Sequence, residues 1–240
     1  NNIARHLALQ FQKYHPAFAD RLGISVVNTG IEPTDNFNLT LQIRDSKNLT
    51  KLFSEDLDTL RNIIITAHVD ARKGASEFKL AAPEIRVNGI NLREPSLSWN
   101  SLGDSAWFSM RVPFTNLSKK QNLPPIFFSG QLINDEMFFS LQASEENSLY
   151  LKNLFLKGTL TTVDSLWQVH FNASKINLFS QEWLIAEDNY IRFGPKFINT
   201  KEFEFFNGNQ RILLEDQNNG KGLKFSLTNF NLNELNRFLD

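Results

Sequence analysis

The stretch Phe37-Asn-Leu-Thr-Leu-Gln-Ile-Arg44 alternates apolar and polar side chains without a break. Successive side chains of a β-strand point to opposite faces, so this period of two predicts a strand with one apolar and one wet face. The same period recurs along most of the chain. The clearest further sets are Ile63, Ile65, Ala67 and Val69; Phe78 and Leu80; Ile85 and Val87; Leu97 and Trp99; Phe108, Met110, Val112 and Phe114; Leu154, Leu156 and Leu160; Trp167, Val169, Phe171 and Ala173; Phe203 and Phe205; Ile212 and Leu214; and Leu223, Phe225 and Leu227.

Residues typical of tight turns separate these sets. Asparagine, aspartate and glycine adopt the left-handed backbone conformation that short hairpins require. Because the sets follow one another at intervals of about ten residues, the pattern favours antiparallel strands joined by short turns. The predicted turns lie at Lys73-Gly74, Asn88-Gly89, Leu102-Gly103-Asp104, Asn134-Asp135, Asn207-Gly208 and Asn218-Asn219-Gly220.

Two segments show the period of a helix instead. In residues 1–22, apolar side chains recur at steps of three and four, which predicts an amphipathic helix that Pro16 kinks or splits and Gly23 ends. Residues 46–60 show similar spacing after a capping Ser46 or Asp45, which predicts a second, shorter helix.

The composition restricts the class of protein. The 240 residues carry a net charge of −1, which gives no basic surface for binding nucleic acid. With no cysteine, the chain has neither disulfides nor thiolate metal sites. Phenylalanine occurs 22 times against 3 tyrosines, which indicates apolar surface without a polar group: a large dry core, or a surface that meets lipid.

The sequence offers no catalytic or cofactor motif. His6, His15, His68 and His170 share no metal-ligand spacing. Nucleophile elbows and phosphate-binding glycine loops are absent from the sequence, and its adjacent acidic pairs lie in turn segments. We therefore expect no enzyme, no metal site and no cofactor, with His68 and His170 as solvated surface residues.

One internal similarity suggests a repeat. Residues 37–53 align without gaps with residues 223–239, so that Leu39 falls on Phe225 and Leu41 on Leu227. In both segments the pattern predicts an alternating strand followed by an amphipathic helix, and the helix of the second segment lies near residues 231–240. Repeated β units that cover their edges only against neighbours are typical of solenoids, so a second unit is predicted to begin near residues 223–240.

Several longer stretches resemble the TamB group of AsmA-like proteins, in the style found in Bacteroidetes. These stretches cover much of residues 37–240, and little of the likeness falls in residues 1–36. They are Leu52-Phe-Ser-Glu-Asp-Leu57; Val69-Asp-Ala-Arg-Lys-Gly-Ala-Ser-Glu-Phe-Lys-Leu-Ala-Ala-Pro-Glu-Ile-Arg-Val-Asn-Gly-Ile-Asn-Leu92; Trp183-Leu-Ile-Ala-Glu-Asp-Asn-Tyr-Ile-Arg-Phe193; Phe203-Glu-Phe-Phe-Asn-Gly-Asn-Gln-Arg-Ile-Leu-Leu-Glu-Asp216; and Leu223-Lys-Phe-Ser-Leu-Thr-Asn-Phe-Asn-Leu-Asn-Glu-Leu235.

The resemblance implies a fold, a place and a function. Such proteins are periplasmic rods anchored in the inner membrane, and their strands form an elongated, curved, open antiparallel sheet, a β-taco with a U-shaped apolar groove. It implies that phospholipid passes along this groove between inner and outer membranes. The expected organisation is a helix over 1–22 and a groove segment over 23–240, internal to a longer protein whose membrane anchor and C-terminal partner-binding region lie outside it.

The alternating positions supply the candidate groove. Each apolar strand face must be covered, either by another sheet or by acyl chains, and the sequence leaves both possibilities open. The candidates are Phe37, Leu39, Leu41, Ile43, Ile63, Ile65, Val69, Phe78, Leu80, Trp167, Val169, Phe171, Phe203, Phe205, Leu223, Phe225 and Leu227.

Two other functions remain open at this point. The first is a scaffold that helps to translocate and assemble outer-membrane proteins with a β-barrel partner, by adding strands at an open sheet edge. The second is a cell-surface, glycan-binding β-sandwich that uses Trp99, Trp107, Trp167 and Trp183 as a stacking platform.

Overall fold

The computed structural model describes residues 8–9, 11–25, 36–44, 57–116, 122–144, 151–172, 175–178, 181–217 and 220–229. These residues are mainly β, with antiparallel pairing throughout the registers, so the predicted mainly β, antiparallel fold class is confirmed. The chain divides into two compact units, Asn1–Met137 and Phe138–Asp240.

The first unit contains two sheets. The larger has the strand order β1-β3-β4-β7-β8-β11, and the smaller has the order β10-β9-β6-β5-β2. Among the described strands β1 pairs with β3 alone, so the larger sheet is open at that edge. The strands are β1 (Asn36–Ile43), β2 (Leu57–Arg61), β3 (Ile63–Asp70), β4 (Ala75–Ala81), β5 (Glu84–Val87), β6 (Ile90–Arg93), β7 (Ser96–Leu102), β8 (Ser105–Val112), β9 (Phe114–Asn116), β10 (Asn122–Leu123) and β11 (Ile126–Ile133).

The second unit is a branched sheet. The strand β13 pairs with β14 along its second half and with β15 along its first half. One branch continues as β14-β17-β18 and the other as β15-β16-β19-β20-β21. The strands are β12 (Glu136–Ser144, which begins at the end of the first unit), β13 (Leu151–Val163), β14 (Leu166–Phe171), β15 (Lys175–Leu178), β16 (Gln181–Ile185), β17 (Tyr190–Gly194), β18 (Phe197–Lys201), β19 (Phe203–Asn207), β20 (Gln210–Gln217) and β21 (Gly222–Thr228).

The two branches meet again at β18. The Thr200 hydroxyl donates a hydrogen bond to the Leu214 carbonyl at 2.9 Å, and the Ile198 amide donates to the Gly220 carbonyl at 2.8 Å. Gly220 has φ +86°, and a Cβ there would overlap the Phe197 ring. Only glycine combines that backbone conformation with so close an approach, so residue 220 positions β18 against the segment before β21.

Short turns join the neighbouring strands as their chemistry predicts. Asn88 and Gly89 both have positive φ between β5 and β6, as the mirror-image turn of a two-residue hairpin requires. Asn134-Asp135 also has positive φ at both positions. The right-handed twist of antiparallel strands matches this turn type, which explains why asparagine and aspartate occupy these positions.

The described N-terminal residues are helical in two pieces. Residues 11–14 are helical, His15 leaves the helical conformation, and α1 (Pro16–Arg21) follows. Proline has no amide hydrogen and restricts the residue before it, which accounts for a break at His15. Gly23 (φ +66°) ends α1: its amide bonds the Asp20 carbonyl, and the Ile24 amide bonds the Ala19 carbonyl.

The helix predicted over residues 46–60 is wrong at its C-terminal end. Residues 57–61 form β2, which pairs with β5 in an antiparallel register that sets Leu57 opposite Val87 and Leu60 opposite Ile85. The spacing of the leucines suits a helix. Here, however, the backbone amide and carbonyl groups of this segment pair with those of β5, as in a strand, and not with each other, as in a helix. Three parts of the predicted helices lie outside the described residues: residues 1–7 and 10 of the N-terminal helix, residues 46–56, and the helix near 231–240.

Candidate functional site

One face of the larger sheet in the first unit is apolar across all six of its strands. The registers place Phe37 opposite Val69, Leu41 opposite Ile65, and Phe78 opposite Trp99. Directly paired residues share a face, so these pairs extend into one continuous surface, which we call the first apolar face. Its members are Phe37, Leu39, Leu41, Ile43, Ile63, Ile65, Ala67, Val69, Phe78, Leu80, Leu97, Trp99, Ala106, Phe108, Met110, Val112, Ile126, Phe128 and Leu132.

The opposite face of the same sheet is largely polar. Asn38 and His68 pair across β1 and β3, with 2.6 Å between Oδ1 and Nδ1. A hydrogen bond and ion pair with Lys79 lower the pKa of the exposed Glu77 carboxyl. The alternation read from the sequence therefore separates a water-facing surface from an apolar one, and His68 lies in the former as predicted.

The two ends of the first apolar face differ in cover. Ile43, Ile63 and Ala82 form a buried cluster, and Ile65, Leu80 and Ile85 pack against it. Because Ile85 belongs to β5, the smaller sheet seals this end. Val69 is also fully buried, whereas Leu41 is 43% exposed and Met110 is 36% exposed. The face is thus sealed in part and open in part.

The N-terminal helical residues cover another part of the first apolar face and leave a cavity. The ring of Phe11 lies 6.3 Å from that of Trp99, centroid to centroid. A Cβ on Gly74 would lie 2.7 Å from the Tyr14 hydroxyl oxygen, so glycine permits this approach. The cavity has a volume of about 530 Å³. Its lining residues are Ala8, Phe11, Tyr14, His15, Ile24, Ala67, Gly74, Ser76, Glu77, Phe78, Leu97, Trp99, Ser101 and Gly103.

His15 is a buried polar residue of this region. It is 2% exposed, and no described group bonds its Nδ1 atom. Burial lowers the pKa of His15 below its ordinary value of 6.5, while the nearby carboxylates of Asp135 and Asp104 offset part of this shift. The imidazole is therefore neutral at neutral pH.

In the second unit the phenylalanine candidates form a row of rings. Phe139 and Phe171 meet edge to face at 5.9 Å, Phe171 and Phe203 at 5.7 Å, and Phe203 and Phe205 at 5.4 Å. Aromatic rings prefer this edge-to-face geometry, which adds about 0.5–1.5 kcal/mol per pair beyond burial. Trp167 and Val169 lie on the same strand as Phe171 and are half-buried.

The same surface continues to the last described strand. Phe203 is opposite Leu214, which is opposite Phe225, and Phe205, Ile212 and Leu227 form the next row. We call these six residues, with Leu223, the second apolar face. Phe225 is 62% exposed and Leu223 is 38% exposed. Among the described strands β21 pairs with β20 alone, so this face ends at an open edge.

The predicted candidates thus fall into two groups. The nine from Phe37 to Leu80 share the first apolar face, and those from Trp167 to Leu227 lie in the second unit, where Phe203, Phe205, Leu223, Phe225 and Leu227 share the second apolar face. That these residues line a lipid groove stays a prediction. The candidate set missed Leu97, Trp99 and the helical residues of the cavity. Leu97 and Trp99 follow the period of two. Their position beside Phe78 and Leu80, however, depends on the pairing of β4 with β7, which the period of two does not encode.

The described residues contain neither a metal-binding cluster nor a helix that could span a membrane. There, no group of three histidine, aspartate or glutamate side chains could hold a metal ion. Within the same ranges, no helix combines the length and apolar character needed to cross a bilayer.

Comparison with family models, with curated proteins and with solved structures gives no match to this chain.

Proposed function

We propose that this chain is an internal segment of a periplasmic, inner-membrane-anchored protein that carries phospholipid between the inner and outer membranes. The observation that carries the proposal is the first apolar face, which is continuous across six strands, backed by a polar face and only partly covered. In this account the strands curve into a U-shaped trough, as in the TamB group that the sequence resembles, and support outer-membrane homeostasis.

The physical argument is that acyl chains suit such a surface. Each methylene removed from water contributes about 0.8 kcal/mol, so two long chains are retained without any specific polar contact. Retention then depends on many interchangeable apolar side chains, and a lipid can pass from one to the next. This account needs no cofactor, no metal and no catalytic group, and we propose none.

Leu41 and Thr40 provide a sharp test because they are neighbours on opposite faces of β1, and both are exposed. A photoreactive benzophenone amino acid would replace each in turn, in a chain exported to the periplasm of a Gram-negative cell. Illumination should give phospholipid adducts at position 41 and few at position 40. Equal labelling at both positions, or none at position 41 in a folded chain, would contradict lipid carriage on this face.

A scaffold for outer-membrane protein assembly is the second candidate, and the sheet edges favour it. β1 has eight residues with neither charge nor proline, and among the described strands it pairs on one side only. Natural proteins usually protect such edges, and an unprotected edge accepts an added strand. Capture of a β-barrel protein by delipidated chain, abolished by Thr40→Pro, would favour this reading over lipid carriage.

The glycan-binding alternative loses two of its four tryptophans. Trp183 is fully buried, and Trp99 lines the cavity of the first unit. An exposed stacking platform built from all four tryptophans is therefore not present, and we do not propose glycan binding.

A further inference from the structure

The cavity of the first unit has the form of a small-molecule site. Its volume of about 530 Å³ lies in the range of ligand pockets, about 300–1,000 Å³. The described helical residues form one wall, and the first apolar face forms the other. Phe11, Phe78, Leu97 and Trp99 are among its large apolar lining residues. Such walls suit a single hydrocarbon chain.

Two hydroxyl groups interrupt this apolar lining. Ser76 and Ser101 face each other across β4 and β7, with 2.6 Å between their Oγ atoms, and Ser76 is 8% exposed. A pair of hydroxyls uses one proton for the bond between them. The second proton and the remaining lone pairs can bond a ligand hydroxyl or carbonyl oxygen, which fixes the position of a head group.

The charges around the cavity select the kind of head group. Neither lysine nor arginine is among the lining residues, and the side chain of the acidic lining residue, Glu77, lies on the opposite face of the sheet, paired with Lys79. His15 is neutral, and the carboxylates of Asp104 and Asp135 lie near it. This negative field would repel an anionic head group, because no lining cation balances it. An uncharged head group would not be repelled.

We propose that this cavity binds one single-chain amphiphile with an uncharged, hydroxyl-bearing head group, such as a monoacylglycerol. The chain lies against Trp99 and Phe78, and a head-group oxygen bonds the Ser76–Ser101 pair. This site is separate from the proposed carriage of phospholipid, whose head group carries a charged phosphate and whose two chains need the open parts of the face.

Trp99 allows the site to be tested by fluorescence. A monoacylglycerol brominated in mid-chain would be titrated into delipidated protein, in parallel with the matching brominated fatty acid at mildly alkaline pH, where its carboxylate is ionised. The glyceride should give saturable quenching that Trp99→Phe removes, and the carboxylate should bind about tenfold more weakly. Equal affinity for both ligands, unsaturable quenching, or quenching unchanged in Trp99→Phe would overturn the proposal.

The serine pair gives a second test that does not depend on a disruptive core change. In the double variant Ser76→Ala with Ser101→Ala, preference for the glyceride should fall to about threefold or less, with an unchanged circular dichroism spectrum. Unchanged preference would overturn the role of the hydroxyls. Leu41→Asp, outside the cavity lining, should keep the quenching even where phospholipid retention is lost, so the two proposals fail separately.

Discussion

Asn189 hydrogen-bonds both backbone groups of Phe171: its Oδ1 accepts from the Phe171 amide at 2.9 Å, and its Nδ2 donates to the Phe171 carbonyl at 2.7 Å. Nδ2 also donates to the Ala186 carbonyl. The side-chain amide thus replaces a partner strand at the end of β14, close to where the two branches of the second unit separate. Asn189 is fully buried, which makes these bonds costly to lose.

Replacing Asn189 should therefore destabilise the chain strongly. Asn189→Ala leaves three backbone groups without their partner, and we expect the free energy of unfolding to fall by about 3 kcal/mol in urea titrations. Asn209→Ala is the matched control, because that side chain is exposed in a turn, and it should change stability by less than about 0.5 kcal/mol. A cost for Asn189→Ala no larger than that of the control would refute this role.

Gly158 should tolerate no side chain. A Cβ there would overlap the His170 carbonyl and the Phe139 ring, so Gly158→Ala has to displace the row of rings that includes Phe171. We expect a loss of about 1–3 kcal/mol by thermal or urea unfolding. Gly222→Ala, at a strand glycine with open space around it, should be close to neutral. Equal effects of the two substitutions would show that the close approach does not matter.

The buried His15 predicts a pH dependence of stability. Its pKa is lower in the folded chain than the ordinary 6.5, so the unfolded chain binds the proton more readily. The free energy of unfolding should then be constant with respect to this group above about pH 6.5 and should fall as the pH drops toward the lower folded pKa. Asp70 and Glu77, whose pKa values are lowered from 3.8 and 4.5, act only below this window.

Denaturant unfolding between about pH 7.5 and pH 5 measures this effect. His15→Gln should remove most of the fall in stability, and His68→Gln, at an exposed position, should keep it. The interpretation fails if the His15→Gln variant loses stability as steeply as the unsubstituted chain.

The sequence predicts part of this architecture well because some of its signals are local. The alternation from Phe37 to Ile43 depends on one strand, and the Asn88-Gly89 turn depends on two residues, so both emerge without knowledge of the partner strands. The pairing of β13 with two different strands is not local. Leu154 and Leu160 carry the same period of two, yet one faces β15 and the other β14.

The cavity also depends on contacts between distant residues, so the sequence does not predict it. Trp99 and Phe11 are about ninety residues apart, and their contact follows from how the helical residues pack on the sheet. The burial of His15 likewise depends on that packing, and no local pattern in the sequence indicates it. The helix prediction over residues 57–60 is wrong for a related reason: leucines three apart fit a helix face, and only pairing with β5 selects the strand.

Phospholipid retention by the purified chain is the property on which the proposed lipid carriage depends. Native mass spectrometry of the purified chain would compare the unsubstituted protein, the variant Leu41→Asp with Phe225→Asp, and the control Thr40→Asp with Thr228→Asp. Leu41 and Phe225 are exposed members of the two apolar faces, and Thr40 and Thr228 are exposed residues on the opposite faces of the same strands. We predict bound phospholipid in the unsubstituted chain and the control, and its loss from the apolar-face variant. A folded chain that carries no phospholipid, or retention equal in both variants, would rule out lipid carriage on these faces.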